Sequence, residues 1–560
     1  MTESRFNSDD PGDSRHHSSD PPPSSLARLE RLLAGILDRH GPFVVLVGAG
    51  FLVRLLLSGW NSYWYDEILS VTKYGLWQES ALDVIRLLAN GSIHPPLYQV
   101  TLFHWMQVFG DSETATRTLS NLYVTGATVF LYLFVLRFAT RRVAFVTAVF
   151  FSIMYAPTYF ALETRSYAQT VFLVCLSGYF LIRTLLVAGN SDSQVPLWRA
   201  PSIVLLTLSN VALLLTHYYN LFFWTAQAIF LLGYTLRVRS DFGGLRNLWA
   251  LPVSYLAQLL LFGGIWGSIL IADYRRRSAT FRVDGDPEGP VSILMDNVVS
   301  PNFRSPTPVL WLMAVILSYL LFRSLARIAA ATQIAPAAWR SWWTVYLMVW
   351  MIGPVLVASA AFEITGVARY STRYFLFSVP AIAPLLAIAI YEVAEIAWNR
   401  LRLIGFSFPG RALFAFLALL SAVFWLFPGV HAAATQTKHD WRGVVSDVVQ
   451  VVQSDRPRSY VIVEASNRRD ALSNFYFDRL ANDIRVEYTI TRAEERAANY
   501  RVLGDLRDQI ERHDRLIVVF LHSRTEAGFF PNALTQLGDR YHEIHRQLRF
   551  GRGYVVFDLR

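Results

Sequence analysis

Polar and apolar positions along this chain are sorted into long blocks. Between Phe43 and Val430, nearly uncharged runs of roughly 17–25 residues recur, each long enough to cross a bilayer core as a helix. The expected spans are roughly 43–60, 117–138, 143–161, 166–186, 201–217, 219–236, 249–271, 309–326, 342–362, 375–396 and 412–430, about eleven in all. The run 95–109 is short and interrupted by His104 and Gln107, so it reads as an interfacial or re-entrant helix. Ahead of the first span, residues 28–42 set apolar side chains at helical spacing among Arg and Glu, the pattern of a helix lying on a membrane surface. Residues 1–27 are rich in Ser, Pro and Asp and lack an apolar stretch, which predicts a disordered tail in place of a signal peptide.

Beyond Val430 the pattern changes. From 431 to 560, short β-rich runs at 460–463, 485–488, 516–520 and 554–557 alternate with helical patterns, which predicts a soluble α/β domain. No glycine-rich phosphate loop follows any of these runs, and nothing in this domain looks catalytic. The expected fold is therefore an α-helical polytopic membrane protein, with its transmembrane domain at 43–430 and an α/β domain after it.

Composition agrees: 53% of the 560 residues are hydrophobic, too many for an ordinary soluble domain. The net charge of +9 does not point to nucleic acid, because the arginines sit at the ends of apolar runs in alternate loops. With the N-terminus in the cytoplasm, the inside loops hold Arg137, Arg141 and Arg142; Arg183 and Arg199; Arg237, Arg239 and Arg246; Arg323, Arg327 and Arg340; and Arg400, Arg402 and Arg411. That is the positive-inside pattern of a multi-pass protein of the cytoplasmic (inner) membrane, and it places the C-terminal domain on the periplasmic or extracytoplasmic side. The single cysteine, Cys175, lies in an apolar run; it excludes an intramolecular disulfide and reads as inert packing.

The outer loops hold the candidate chemistry. Trp64-Tyr65-Asp66-Glu67 sets two adjacent carboxylates among aromatic rings at the end of the first span. This is equally an interfacial aromatic belt with a solvated acidic pair, or a site in which desolvation tunes a base. In Ser92-Ile93-His94-Pro95-Pro96-Leu97-Tyr98 the proline pair fixes chain direction as a helix begins and holds His94 near those carboxylates. Glu163 and Arg165 share a loop too short to be a domain, as a structural ion pair or as part of a site. Arg369-Tyr370-Ser371-Thr372-Arg373 precedes an apolar run; guanidinium forks there suit a lipid phosphate, or else snorkel to the interface. His217 and Tyr218 cap another span, as interfacial anchors or as the lining of a sugar pocket, and Arg275 stands in the fourth outer loop.

Together these segments resemble the GT-C superfamily of polyprenyl-phosphate-sugar glycosyltransferases, in particular the branch of glycosyltransferase family 39, the lipid A aminoarabinose transferases and the protein O-mannosyltransferases. The resemblance rests on Asp66-Glu67 after the first span and on His94-Pro95 running through Phe109-Gly110 to Arg117 and Ser120. It rests also on Glu163, on Arg369 to Leu386, and on Lys438-His439-Asp440-Trp441-Arg442. It implies an inverting transfer of a sugar from an undecaprenyl- or decaprenyl-phosphate donor to a lipid, glycan or protein acceptor. The implied catalytic residues are Asp66 as base with Glu67 and Glu163. The implied donor-phosphate contacts are His94, Arg275, Arg369 and Arg373, and Tyr65, Tyr98, Arg165, His217, Tyr218 and Tyr370 would line the substrate pocket. His94 stands where the aminoarabinose enzymes carry a lysine, and Ile93 where they carry an acidic metal ligand, so a divalent metal stays open as a cofactor. The rival reading is a lipid-linked-sugar transporter or flippase. It calls for charges inside the spans, of which only Arg54 is evident, and for repeated halves, of which there is no sign.

Overall fold

The computed structural model describes residues 25–91, 94–188, 197–238, 248–278, 307–331, 336–365, 372–403, 410–423, 431 and 440–454, and in the C-terminal part 459–465, 475–476, 479–480, 487–492, 512–520, 541–549 and 552–559. Most of the expected tail, Arg369 and Tyr370 lie outside the described residues. The chain divides into two compact units, Met1–Gly48 and Ala49–Arg560, and apart from the first part of the helix Ser25–Ser58 everything discussed below belongs to the second.

Helix α1 (Ser25–Ser58) ends at the first outer loop, which carries α2 (Tyr65–Val71), α3 (Ala81–Ala89) and α4 (Leu97–Phe109). Then follow α5 (Glu113–Val135), α6 (Arg141–Ile153), α7 (Tyr155–Ala161), α8 (Tyr167–Ala188), α9 (Pro201–Leu214), α10 (Asn220–Val238), α11 (Ala250–Phe262) and α12 (Ser268–Ser278). The last helices are α13 (Thr307–Ala330), α14 (Pro336–Thr365), α15 (Ile382–Leu403), α16 (Gly410–Ser421) and α17 (Trp441–Ser454).

Seven stretches of described helix are long and apolar enough to cross a membrane, or eight if the bent pair α6–α7 is one span. This is fewer than the expected count of about eleven, for specific reasons. Helix α9 ends at Leu214, three residues short of the expected limit, because a turn containing His217 follows it. Helix α16 ends at Ser421, before residues 424–430 that lie outside the described set. Helix α13 occupies the expected 309–326 span, with side chains described from 315 onward. The α6–α7 bend is 56°. It falls at Met154, whose backbone is extended (φ −65°, ψ 147°), three residues before Pro157, which has no N–H to donate one turn back.

Several polar groups inside the bundle are paired with one another. Arg54 Nε donates to Asn121 Oδ1 at 2.8 Å and its Nη2 to Thr125 Oγ1 at 3.1 Å. Glu392 of α15, a charge overlooked in the sequence, takes Arg323 and Arg327 of α13, the latter at 3.8 Å. A larger group joins five helices. Ser177 Oγ donates to Asn210 Oδ1 at 2.6 Å, and Asn210 Nδ2 to Gln227 and Gln258 at 3.1 and 3.0 Å. Gln227 Nε2 donates to the Tyr346 hydroxyl at 2.8 Å, and the Tyr255 hydroxyl to Gln227 Oε1 at 2.6 Å. Buried polar groups in an apolar bundle are stable only when satisfied in this way.

The C-terminal part forms a sheet of order β2-β1-β3-β5-β4: β1 (Ser459–Ala465), β2 (Glu487–Arg492), β3 (Arg515–Phe520), β4 (Tyr541–Arg549) and β5 (Arg552–Leu559). β1 runs parallel to β2 and β3; β5 is antiparallel to β3 and β4. Register sets Val461, Ile517 and Val556 side by side, with Val519 beside Tyr554, on one apolar face. Helix α17 covers that face with Trp441, Val444, Val445 and Val448 at helical spacing, and the same core continues into Tyr63, Ile68, Tyr98 and Leu102 of the first outer loop. The sequence reading misses β4: its YHEIHRQLR is too polar to read as a strand, yet it pairs on one side only, as an edge strand can.

Candidate active site

Two adjacent residues on a helix point about 100° apart, and α2 uses this to separate its carboxylates. Glu67 turns inward and is completely buried. Its Oε2 accepts from the Trp64 backbone N–H at 3.2 Å, holding the start of the helix as an N3 glutamate does. Arg117 of α5 meets both oxygens, Nε to Oε1 at 2.9 Å and Nη2 to Oε2 at 2.8 Å, and the Thr164 N–H donates to Oε1 at 2.7 Å. Arg117 spends its remaining donors on the carbonyls of Ser58, Asn61 and Ser62 at 2.8, 2.6 and 3.1 Å. One buried ion pair thus ties together the end of α1, the turn before α2, and the α7–α8 loop.

Asp66 turns the other way and its side chain is 21% exposed. Its Oδ2 lies 3.4 Å from Arg373 Nη1 and 3.6 Å from Arg165 Nη2. Arg165 also donates to the Asp66 carbonyl and the Ser70 hydroxyl, both at 3.3 Å, and its Nη2 is 3.5 Å from His94 Nε2. The Arg373 guanidinium lies over the rings of Trp64 and Tyr374, at 5.7 and 5.5 Å. Its Nε has no hydrogen-bond partner among the described residues.

Behind the arginines stand rings. The His217 centroid is 5.2 Å from both His94 and Tyr374. The Tyr219 N–H donates to His217 Nδ1 at 3.2 Å, so the neutral ring carries its proton on Nε2. Burial, and then the charges of Arg165 and Arg373, push His217 down to about 3, so the imidazole is neutral at physiological pH.

The structure therefore gathers Asp66, Arg165, Arg373, His94 and His217. Glu163 is buried beside them, its carbonyl accepting from Ser120 Oγ at 2.5 Å and from the Arg165 N–H at 2.9 Å. Other expected pocket residues flank this group. Tyr98 is 1% exposed, in the core shared with the C-terminal sheet and with Ser120 and Arg165 close to its hydroxyl, and Tyr65 packs against that core. The Tyr218 hydroxyl donates to Asp273 at 3.2 Å and receives Trp266 Nε1 at 2.9 Å, toward α12. Arg275 is exposed on α12. Sequence reasoning named Arg117 only within a motif and gave it no role at the site, and it did not set Trp64 and Tyr374 beside Arg373. The available signal for Arg117 was a lone arginine opening an otherwise apolar span.

Among the described residues, no three His, Cys, Asp or Glu side chains gather to hold a metal ion. Glu67 has both oxygens committed to four donors, so this carboxylate is not open to a metal.

No protein-family profile and no curated protein matches the chain. Solved structures do. ArnT from Cupriavidus metallidurans bound to undecaprenyl phosphate superposes with a TM-score of 0.50 at 13% identity, covering 92% of this chain and 98% of that one. The archaeal oligosaccharyltransferase AglB from Archaeoglobus fulgidus, in complex with an inhibitory peptide and a dolichol-phosphate, aligns over 92% of this chain and 74% of its own at 12% identity and a TM-score of 0.44. With near-complete coverage of both chains, this multi-helix membrane protein shares the fold of that ArnT.

Proposed function

We propose that this protein is an inverting glycosyltransferase that moves a sugar from a polyprenyl-phosphate donor to a hydroxyl-bearing lipid, glycan or protein acceptor outside the cytoplasmic membrane. The observation that carries the proposal is the accessible carboxylate of Asp66 facing two guanidinium groups, in a fold shared with an ArnT that binds undecaprenyl phosphate.

In the proposed reaction the acceptor oxygen attacks the anomeric carbon as Asp66 takes its proton, and the bond from that carbon to the donor phosphate oxygen breaks. A base on the face opposite the leaving group is what inversion requires. The phosphate departs as an anion and needs no strong acid. The remaining task is electrostatic, and Arg373 is suited to it. It has an uncommitted Nε, and its contact with Asp66 at 3.4 Å is loose enough to exchange for a phosphate oxygen. Arg165 would share that charge, and neutral His217 would donate from Nε2. Arg369 and Arg275 remain expected donor contacts, and Glu67 is a positioning group in this scheme. The orientation with the site and the C-terminal domain outside follows from the arginine-rich alternate loops.

The test is transfer from a radiolabelled panel of polyprenyl-phosphate sugars in membranes holding wild-type or Asp66→Asn protein. Loss of a positioned base typically costs on the order of 10²–10⁴-fold in rate, so the variant should be nearly inactive while inserting normally. Wild-type turnover by Asp66→Asn would remove Asp66 from the mechanism. Labelled lipid crossing the bilayer without being consumed would replace the transferase reading with a transporter.

A further inference from the structure

The C-terminal domain contributes a residue that no motif marks. Tyr476, in the short helical segment 475–476, is 3% exposed, and its hydroxyl reaches into the first outer loop. There it accepts the Tyr63 backbone N–H at 2.7 Å and donates to Glu113 Oε1 at 2.8 Å. Tyr63 directly precedes Trp64, the N-cap of the helix that carries Asp66. The neighbouring Phe475 meets the Tyr63 ring edge-on at 5.7 Å. Tyr63 passes the restraint on: its hydroxyl is 2.5 Å from Thr116 Oγ1, which is 2.8 Å from Thr164 Oγ1, and the Thr164 N–H holds Glu67. Arg442 grips the same loop from another side, donating to the carbonyls of Gly59 and Trp60 at 2.9 and 3.0 Å and pairing with Glu113 at 3.4 Å.

We propose that Tyr476 is a positioning residue for the proposed transfer: through Tyr63 and Glu113 the outer domain sets the start of α2, and with it the direction of Asp66. This rests on the reading of Asp66 as the base. The physical argument is one of alternatives. A buried backbone N–H has to be satisfied, and the two bonds of one rigid phenol fix the loop between the domain and α5 more tightly than water would. A catalytic carboxylate loses much of its effect when misplaced by about 1 Å.

The experiment compares full-length wild type with Tyr476→Phe, which keeps the ring and removes both hydroxyl bonds. Hydrogen exchange of peptides covering residues 61–68 is read alongside transfer kinetics. Exchange there should rise about tenfold, kcat should fall about tenfold, and the donor KM should stay within about twofold, because the arginines are untouched. Tyr63→Phe, which cuts the tie to Thr116, should move exchange and kcat in the same direction. Unchanged exchange at 61–68 in Tyr476→Phe overturns the proposal, whatever happens to turnover. So does raised exchange with full kcat, since the loop would then not set the base. Raised exchange in a protein whose wild type transfers no sugar supports the tie and overturns the glycosyltransferase reading.

Discussion

Replacing Glu67 with glutamine puts an amide NH₂ into a pocket where every neighbour is a donor. Arg117 Nε and Nη2, the Thr164 N–H and the Trp64 N–H all point at Glu67, within 2.7–3.2 Å. One amide hydrogen must then face a donor, and Arg117, only 2% exposed, loses its counter-charge. Its three carbonyl contacts persist, so the guanidinium stays hydrogen-bonded but uncompensated. Removing one partner of a buried pair costs about 3–5 kcal/mol. Thermal unfolding in detergent, followed with a thiol-reactive dye, reads this directly, because Cys175 is the single cysteine and fully buried. The Glu67→Gln melt should fall by several degrees. Asp66→Asn, one position away and partly exposed, should melt near wild type while losing transfer. Glu67→Gln with Arg117→Met should recover part of the loss, since no charge is then stranded. A Glu67→Gln melt within about one degree of wild type would refute the assignment of Glu67 as a structural hub.

Two further outcomes follow from the same geometry. Arg373→Ala removes a guanidinium that touches Asp66 at 3.4 Å without anchoring a buried partner; the donor KM should rise by about tenfold or more with little change in melting, checked by initial rates over donor concentration. His217 is held down to about 3, against a usual value near 6.5, so the unfolded chain binds a proton that the folded chain refuses. Its contribution to stability is intact above pH 6.5 and declines as pH falls toward 3, by at most about 1.4 kcal/mol per pH unit. Melts from pH 7.5 to 5 should show that slope, and His217→Asn should flatten it.

Much of this fold is legible in the residues. Long apolar blocks announce spanning helices because a bilayer has a fixed thickness, and described helix falls within each expected span, long enough to cross in seven or eight of them. Reading span ends was harder at Leu214, where Leu215, Thr216 and His217 belong to a turn that serves the site. The site was half visible. Asp66, Arg165, His94 and Arg373 declare themselves as charged or titratable residues in the connections between apolar blocks. The opposite fates of Asp66 and Glu67 do not, since they depend on which face of a seven-residue helix meets Arg117, fifty positions away. Tyr476 was invisible for the same reason. It is a common residue in a domain without motifs, and its value lies in contacts 413 and 363 positions distant.

The amide cluster within the bundle bears on how the chain is made. Ser177, Asn210, Gln227 and Gln258 belong to four helices, α8 to α11, that leave the ribosome in succession. Ser177 enters the membrane before its partner Asn210 has been synthesised, and Asn210 before Gln227 and Gln258, at a cost that only assembly relieves. Tyr346 comes later still, from α14. The bundle's polar cluster is therefore complete only once α14 has been made. A helix that slipped by a turn would strand its own polar group and those of its neighbours, and would mark itself as misassembled before the C-terminal sheet had emerged.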